Sequence, residues 1–204
     1  MPVYENVDML DVCGPYEMFR WADVIEVDLV AEVPGPVSFN GGFSFEVPNG
    51  LGTPTLCDAL WVPGGNPESL ARIIDDGPEG PYLEFLVAQA AKSRYVCSVC
   101  EGALLLAAAG LLDGYEATTH WAFIPYLLEN YPKVTIADGH PRFRLDRNRL
   151  TGGGISSGLD EALKLIELLT DTATAECVQQ RTQYYPAPPV KSSIPNKIHS
   201  PMPT

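Results

Sequence analysis

Apolar and polar residues follow two different periodicities along most of the chain. Runs of apolar and β-branched residues predict strands, at residues 24–33, 59–63, 95–99, 117–119, 134–137 and 143–150. Apolar residues at helical spacing predict helices, at residues 82–91, 101–109, 120–130, 159–169 and 173–183. Strands and helices therefore alternate, an order that is typical of a mostly parallel sheet with helices on both faces.

This order predicts an α/β fold, a flavodoxin-like three-layer α/β/α sandwich with a mostly parallel central sheet. A small β-hairpin is expected at residues 37–47, where two alternating runs flank Asn40-Gly41-Gly42, a turn sequence that needs positive φ. Functional sites in such folds lie at the carboxyl ends of the parallel strands. Candidate chemistry is therefore expected directly after the predicted strands.

The two ends of the chain depart from this pattern. Only residues 2–4 precede the first polar turn, so the first strand is expected to be truncated. Residues 1–183 are predicted to form a single domain. Residues 184–204 contain six prolines and are expected to form an extended tail, either disordered or laid against a surface.

The chain carries 13 basic and 26 acidic residues, a formal net charge of −13. This balance argues against nucleic acid as a partner and against binding to anionic membranes. No apolar run approaches the ~20 residues that span a bilayer, and the first residues lack the basic region of a signal peptide. Five scattered cysteines do not suggest a disulfide framework, so we expect a cytoplasmic location and mostly buried thiols.

The joint between the third predicted strand and the helix behind it carries the strongest chemical signal. Cys100 stands between Ser98 and Gly102, and small residues at these two positions relieve the crowding of a sharp strand-to-helix turn, as in a nucleophile elbow. The turn would aim the thiol at the amino end of the helix, so we expect a pKa below the ordinary value. The Glu101 N–H and an N–H of the corner Gly64-Gly65 are expected to bind an anion there.

Two other interpretations of Cys100 stay open. It could be a packed, buried cysteine, and together with Cys97 it also spells C-x-x-C, the spacing of a redox pair or of half a metal site. A thioredoxin-like pair begins a helix, whereas Cys97 is expected inside the strand. No second pair of thiols or histidines lies at zinc-ligand spacing in the sequence. We therefore favour a nucleophilic Cys100 and expect no metal.

A nucleophilic thiol needs a proton acceptor or donor nearby. His120 starts a predicted helix and could face the strand ends, although it could equally be a simple helix-start residue. Asp11 is flanked by apolar residues, so burial would raise its pKa and keep a proton available, but it could also cap a helix that opens near Pro15. The fallback acids are Glu17 and Glu101. The histidines expected to have no role in the chemistry are His140 and His199.

Six motifs, in their order along the chain, resemble the ThiJ/PfpI family. They are LDVCGPYEMF (10–19), LWVPGGNPE (60–68), SVCEGALLLAAAGLLDG (98–114), ATTHWAF (117–123), LTGGGISSGLDEAL (150–163) and YYPAPP (184–189). The likeness extends from residue 4 to about residue 189, and within the family it is greatest to the isonitrile hydratases.

The resemblance implies the class I glutamine amidotransferase-like fold, a homodimer, and a cysteine enzyme that uses no cofactor. Cys100 matches the family nucleophile, and Asp11 matches the acidic residue beside the sulfur, which favours a catalytic role for Asp11. Gly65 and Glu101 match the backbone donors around the thiolate. The candidates for the substrate pocket are His120, Phe123 and Ile155.

Three departures from the family pattern bear on these expectations. The truncated first strand puts one strand of the sheet in doubt. Glu101 follows the nucleophile where the hydratases resemble a Cys-Thr pair, so a new carboxylate is expected to alter the pocket. The protease-like members have a Cys-His pair at this place, and its absence argues against peptidase activity.

The leading hypothesis is a lyase that hydrates an isonitrile to an N-substituted formamide, through a covalent thioimidate on Cys100 with Asp11 as the acid. A second hypothesis applies the same site to a small carbonyl compound, as in glyoxalase-like relatives. A third is an oxidant or ligand sensor, because an exposed thiol of low pKa oxidises readily. The negative charge and the absence of a DNA-binding region in the sequence argue against a free-standing regulator.

Overall fold

The computed structural model describes residues 1–53, 56–195 and 198–203. The strands are β1 (Val30–Ala31), β2 (Gly35–Ser38), β3 (Ser44–Val47), β4 (Asn49–Gly50), β5 (Ala59–Val62), β6 (Tyr95–Ser98), β7 (Glu116–Ala117), β8 (Thr135–Ile136), β9 (Phe143–Asp146) and β10 (Arg149–Gly152). The helices are α1 (Met9–Arg20), α2 (Pro67–Asp75), α3 (Pro81–Ala90), α4 (Gly102–Ala108), α5 (Ile124–Asn130), α6 (Ser157–Leu169) and α7 (Thr172–Arg181), with a 3₁₀ turn at Trp121–Phe123.

Four strands form the central sheet, in the order β5-β6-β10-β9. The first three run parallel, with Trp61 opposite Cys97 and Cys97 opposite Leu150. Strand β9 pairs antiparallel with β10 at the edge of the sheet. Because β6 is a central strand, the residues that follow it lie where open α/β sheets place their sites.

Both faces of this sheet are buried. Leu60 of β5 belongs to a core that it shares with α2, α3 and α4, whereas its neighbour Trp61 belongs to a core shared with α1, α6 and α7. Strands that are buried on both faces need apolar residues at successive positions, which explains the continuous apolar runs in the sequence. The chain is thus a flavodoxin-like α/β/α sandwich, as the predicted order of elements indicates.

The hairpin predicted at residues 37–47 is confirmed, and a side-chain cap begins the helix after β5. Strands β2 and β3 form the expected hairpin, and its turn contains Gly41 and Gly42 at φ of 109° and 108°, a conformation that favours glycine. Asn66 caps α2, because its side-chain oxygen accepts the N–H groups of Glu68 (2.9 Å) and Ser69 (3.3 Å).

The strand predicted at residues 24–33 is mostly absent. Only β1 forms there: the Val3 N–H donates to the Val30 oxygen (2.8 Å), and the Val30 N–H donates to the Met1 oxygen (3.1 Å). Residues 24–29 pair with no strand in the described part of the chain, and residues 24–28 instead border a cleft of about 540 Å³. An extended segment needs ladder partners for its backbone groups, so this segment stays irregular.

Two other predicted boundaries are corrected. The single strand expected at 143–150 is a tight antiparallel pair, β9 and β10, because Arg147 turns the chain at φ 54°. The first helix begins at Met9 rather than near Pro15, which lies inside it. The short strands β7 and β8 pair with each other outside the central sheet.

The described part of the tail, residues 184–195 and 198–203, contains no helix or strand. The Tyr184 hydroxyl donates to Asp160 (3.0 Å), and Met202 is buried against the core. These contacts place parts of the tail on the surface of the domain, while residues 196, 197 and 204 lie outside the described residues. The domain boundary at residue 184 stays a prediction. No helix among the described residues combines the length and apolarity needed to cross a bilayer.

Candidate active site

Cys100 occupies the sharp turn between β6 and α4. Its φ of 56° is a left-handed conformation that is uncommon for a residue with a side chain. A Cβ atom on Gly102 would collide with the carbonyl oxygen of Val62, so glycine is required there. The Cys100 N–H donates to the Gly153 oxygen (2.8 Å), and the Thr119 hydroxyl donates to the Cys100 oxygen (2.7 Å). These bonds hold the strained turn in place.

The loop after β10 covers the sulfur of Cys100. The thiol is fully buried, and the Ile155 N–H hydrogen-bonds to it. Ile155 itself has a φ of 32°, which is a clear outlier for a β-branched residue. Both partners of this contact are therefore held in strained backbone conformations, which cluster at functional sites.

Asp11 reaches the same point from the first turn of α1. Its Oδ2 accepts the Gly64 N–H (2.9 Å), and its carboxyl group is fully buried. Pro15 cannot donate to the Asp11 carbonyl oxygen four residues before it, and the Trp61 indole N–H takes that place (3.2 Å). Asp11 therefore does not cap a helix near Pro15. The proline instead frees a carbonyl group that ties α1 to β5.

Glu101 supplies a second buried carboxyl group at the sulfur. Its side chain, 5 % exposed, turns toward the loop after β5, where a Cβ atom on Gly64 would collide with it. The backbone N–H groups of Glu101 itself and of Gly65 donate to this carboxylate, and the Cys100 thiol also hydrogen-bonds to it. Its Oε2 atom has no hydrogen-bond partner among the described residues.

The pKa shifts contradict the expectation of an acidic thiol. Burial, and after it the charges of Asp11 and Glu101, raises the pKa of the Cys100 thiol well above the ordinary value. Burial and the charge of Glu101 also raise the pKa of Asp11 well above its usual range, and burial raises the pKa of Glu101 to about 7. Because neighbouring acidic groups in a desolvated site cannot all ionise, the sulfur keeps its proton at neutral pH.

The two backbone N–H groups that were expected to bind an anion beside the sulfur also have different acceptors. The N–H groups of Gly65 and Glu101 donate to the Glu101 carboxylate rather than facing the sulfur, and the Gly64 N–H donates to Asp11. The backbone donor to the sulfur is the N–H of Ile155, a residue that was expected to line the substrate pocket. The Glu101 side chain explains the difference, since its carboxylate accepts both of these N–H groups.

A cleft of about 350 Å³ opens beside the turn between β6 and α4, and His120 and Ile155 line it. The His120 Nδ1 atom accepts the Ala122 N–H (3.2 Å), so the ring caps the 3₁₀ turn, and burial lowers its pKa. Phe123 is buried behind the His120 ring, with ring centroids 5.8 Å apart, and is not among the described residues that line the cleft. Cys100 lies behind the part of the wall that Ile155 forms.

Asp8 brings a fourth acidic group to the cluster. One donor atom from each of Asp8, Asp11, Cys100 and Glu101 lies within 4.8 Å of the other three. Asp8 also accepts a hydrogen bond from Asn40 (3.0 Å). Carboxylates with a thiolate could hold a divalent cation, but a thiol that keeps its proton opposes metal binding. The absence of a metal from the reaction stays a prediction.

A further buried glutamate, Glu161 of α6, was not predicted. It is fully buried, and neither carboxylate oxygen has a hydrogen-bond partner among the described residues. Burial, followed by the charge of Asp11, raises its pKa well above the ordinary value. A signal existed in the sequence, because Glu161 falls on the apolar face of the predicted helix together with Ala162 and Leu165.

The other cysteines differ from one another. All five are free thiols. Cys97 is buried, and burial raises its pKa well above the ordinary value. Cys13 and Cys177 are exposed and Cys57 is half-buried, so the expectation that most of the thiols are buried was wrong. Cys100 is distinguished from the other four by its strained turn and its two carboxyl neighbours.

Comparison of the chain with known proteins identifies its family. A model of the DJ-1/PfpI family matches residues 1–168. The chain belongs to the DJ-1/PfpI family. This confirms the resemblance stated from the motifs. An isonitrile hydratase of Pseudomonas putida is 37% identical to this DJ-1/PfpI chain over 198 residues, which cover 97% of this chain and 83% of the hydratase.

Two other relatives agree with this assignment. A ThiJ/PfpI family protein from Pseudomonas syringae has a solved structure that matches with a TM-score of 0.84 and 33% sequence identity, covering 93% of this chain and 76% of that one. The HTH-type transcriptional regulator GbdR of Pseudomonas aeruginosa is 40% identical over 85 residues, or 42% of this chain and 23% of the regulator. Part of this chain is therefore similar in sequence to a protein that is named as a transcriptional regulator.

Proposed function

We propose that this DJ-1/PfpI protein hydrates an organic isonitrile to an N-substituted formamide, with Cys100 as the nucleophile and Asp11 as the acid. The observation that carries the proposal is a buried carboxyl group beside the sulfur at a strained elbow, and burial raises the pKa of this carboxyl group well above its usual range. The relative named isonitrile hydratase, similar over 97% of this chain, supports the substrate class.

The chemistry of an isonitrile matches a thiol with an adjacent acid. The terminal carbon of an isonitrile receives both the nucleophile and the proton. The thiol and the carboxylic acid must therefore both reach this one carbon. The Oδ2 atom of Asp11 accepts the Gly64 N–H, which leaves Oδ1 to carry the proton, and the Asp11 carboxyl group hydrogen-bonds to the Cys100 thiol. Asp11 is thus able to donate to a carbon that bonds to Cys100.

The reaction has two covalent stages. First, the sulfur of Cys100 bonds to the terminal carbon and loses its proton to a neighbouring carboxylate, while Asp11 gives its own proton to the same carbon. The product is a thioimidate, R–N=CH–S–Cys100. Water then adds to that carbon, the carbon–sulfur bond breaks with its electron pair going to sulfur, and the formamide R–NH–CHO leaves.

Burial of the sulfur favours a narrow substrate. Cys100 is fully covered, so a substrate in the cleft reaches it only by displacing Ile155 or its neighbours. An isonitrile group is linear and carries its reacting carbon at the very end, so a small displacement is sufficient. The organic substituent would remain in the cleft of about 350 Å³, within the size range of small-molecule sites.

The test is turnover of cyclohexyl isonitrile by the purified full-length chain. We expect the isonitrile infrared band to disappear and N-cyclohexylformamide to appear by liquid chromatography with mass detection. Cys100→Ala should lower the rate by about 10³-fold or more. The matched control Cys177→Ala, which removes an exposed thiol, should leave the rate unchanged. Dialysis against EDTA should have no effect.

Two results would overturn the proposal. Equal isonitrile consumption by the wild type and Cys100→Ala would exclude the covalent mechanism. Consumption of methylglyoxal without any isonitrile turnover would replace the proposed substrate with a small carbonyl compound.

A further inference from the structure

The proposed reaction needs a base that the mechanism has not yet assigned. The Cys100 thiol retains its proton, because burial and its two acidic neighbours oppose ionisation. Attack by sulfur therefore requires transfer of that proton to another group. Asp11 cannot accept it while it holds its own proton for the substrate carbon.

Glu101 meets the geometric requirements for this base. Its carboxylate hydrogen-bonds to the Cys100 thiol and receives two backbone N–H groups, its own and that of Gly65. Asp11 also hydrogen-bonds to the Cys100 thiol, but it receives only one backbone N–H, from Gly64. Two donors stabilise a charged carboxylate more than one, so the negative charge of the pair resides on Glu101 and the proton on Asp11. The unpartnered Oε2 of Glu101 and Oδ1 of Asp11 are the atoms left for proton transfer.

We propose that Glu101 is the catalytic base of this site: it accepts the thiol proton of Cys100 as the sulfur bonds to the substrate, and later returns that proton to the substrate nitrogen. This inference rests on the proposed function and extends it to a second carboxyl group. It also gives a role to Glu101, the carboxylate that directly follows the nucleophile in the chain.

The first stage then balances between the two acids. Glu101 takes the proton of the thiol, the sulfur–carbon bond forms, and the carbon takes the proton of Asp11. The site now holds the thioimidate, a neutral Glu101 and an ionised Asp11. The two acids have exchanged protonation states, which prepares them for the second stage.

The second stage reverses this exchange. Asp11 takes a proton from water as the water oxygen bonds to carbon, and Glu101 gives its proton to the nitrogen, to which the C=N electron pair moves. Glu101 next takes the hydroxyl proton as the carbonyl forms and the carbon–sulfur bond breaks. It passes that proton to the sulfur, so Cys100 and Asp11 are again protonated and Glu101 is ionised.

The groups that face Glu101 define its expected pH dependence. They are Asp8, Asp11 and Cys100, with the Tyr4 hydroxyl, whose pKa the Glu101 charge helps to raise. Glu101 should become ionised as the pH rises through about 7. Proton removal from the thiol, and with it the reactivity of Cys100, should rise through the same pH.

The test is alkylation of Cys100 by iodoacetamide between pH 5 and pH 10, followed by mass spectrometry of the peptide that contains it. In the wild type the rate should rise through about pH 7 and then level off. In Glu101→Gln this rise should disappear, the rate at pH 7.5 should fall at least about tenfold, and the reactivity should increase only in more alkaline solution. Glu101→Asp, which keeps a carboxylate, should restore part of the rise.

Asp8→Asn is the matched control, because it removes a neighbouring charge without removing the base. It should keep the rise and move it to lower pH, since the charge of Asp8 raises the pKa of Glu101. Glu101→Thr is a second charge-free variant if Glu101→Gln is poorly folded. The same profile in the wild type and in both charge-free variants would overturn the inference.

The alkylation assay does not depend on isonitrile chemistry, so the two proposals can fail separately. If the wild type and Glu101→Gln hydrate cyclohexyl isonitrile at the same rate, Glu101 is not the base, while the proposed function stands. If the wild type hydrates no isonitrile but its alkylation profile depends on Glu101, the base is supported and the proposed substrate is wrong.

Discussion

Glu101 and Glu161 are both buried, and burial raises the pKa of both carboxyl groups, but their surroundings differ. Glu101 receives backbone N–H groups and contacts the Cys100 thiol beside a cleft. Glu161 has no hydrogen-bond partner on either oxygen among the described residues, and its side chain extends from α6 to pack against Gly152. Burial alone therefore produces a neutral, costly carboxylic acid. A usable base also needs donors that stabilise its charge and a group from which to take a proton.

Substitutions at Glu101 and Glu161 should differ most in their effect on isonitrile turnover. Glu101→Gln should lower isonitrile turnover by about 10²–10⁴-fold, the usual contribution of a general acid or base. Glu161→Gln should stay within about twofold of the wild type, because Glu161 contacts neither the sulfur nor the cleft. Steady-state rates of formamide production provide the measurement. Equal losses in the two variants would mean that both act only through the structure of the site.

The second prediction concerns stability. Replacing Glu161 with the apolar Met, of similar length, removes a buried carboxyl group without a partner, so it should raise the free energy of unfolding by about 1–3 kcal/mol. Thermal denaturation should show an increase of several degrees. The control is the same substitution at the exposed Glu176, which should change stability by less than about 0.5 kcal/mol. A loss of stability in Glu161→Met would show that the carboxyl group has a stabilising partner.

The third prediction is that the difference in unfolding free energy between Glu161→Met and the wild type depends on pH. The folded state raises the pKa of Glu161, so it binds the proton more tightly than the unfolded state does. The contribution of this residue to stability is fully present below the ordinary glutamate pKa of about 4.3 and is lost as the pH rises toward the folded value. The stability advantage of Glu161→Met should thus be smallest near pH 4.5 and grow by up to about 1.4 kcal/mol per pH unit above it.

Urea denaturation at several pH values measures this slope. The charges of Asp11 and Glu101 also vary with pH, but they are present in both proteins, so subtraction largely removes their contribution. A difference that does not change between pH 4.5 and pH 8 would contradict a raised pKa for Glu161.

The smallest expected effect is a coupling between Glu161 and Gly152. A Cβ atom on Gly152 would collide with the Glu161 carboxyl group, so Gly152→Ala should destabilise the wild type. In a Glu161→Ala background the space is free, and the same change should cost about 0.5–1 kcal/mol less. A double-mutant cycle of unfolding free energies measures this term, and exact additivity would contradict the packing described here.

Local features of the site could be predicted from the sequence, whereas its electrostatics could not. The elbow at Cys100 follows from neighbours: an apolar run before it, and small residues at Ser98 and Gly102 that the turn requires. The direction of the shift in the thiol pKa depends first on burial of the sulfur and then on the charges of Asp11, which the fold brings from 89 positions earlier in the chain, and of Glu101. Local spacing does not encode these tertiary effects, so the helix amino end suggested an acidic thiol, whereas burial and the two carboxyl groups raise its pKa.

The fold shows the same division. The central sheet and its helices were predicted because strands buried on two faces give unbroken apolar runs. The strand expected at residues 24–33 forms only at β1, since a strand also needs a neighbour, and the pairing with the first residues ends at Val30. The hairpin of β9 and β10 was missed because the polar turn at Arg147 interrupts what otherwise resembles one alternating strand.

The most direct test of the central claim, that the sulfur of Cys100 bonds to the isonitrile carbon, is rapid-quench mass spectrometry during turnover of cyclohexyl isonitrile. We expect a transient adduct with the mass of one whole isonitrile molecule on the peptide that contains Cys100. The adduct should be absent from Cys100→Ala and should be replaced by free thiol as the formamide appears. Formamide production without any adduct on that peptide, at a rate that Cys100→Ala retains, would contradict this claim.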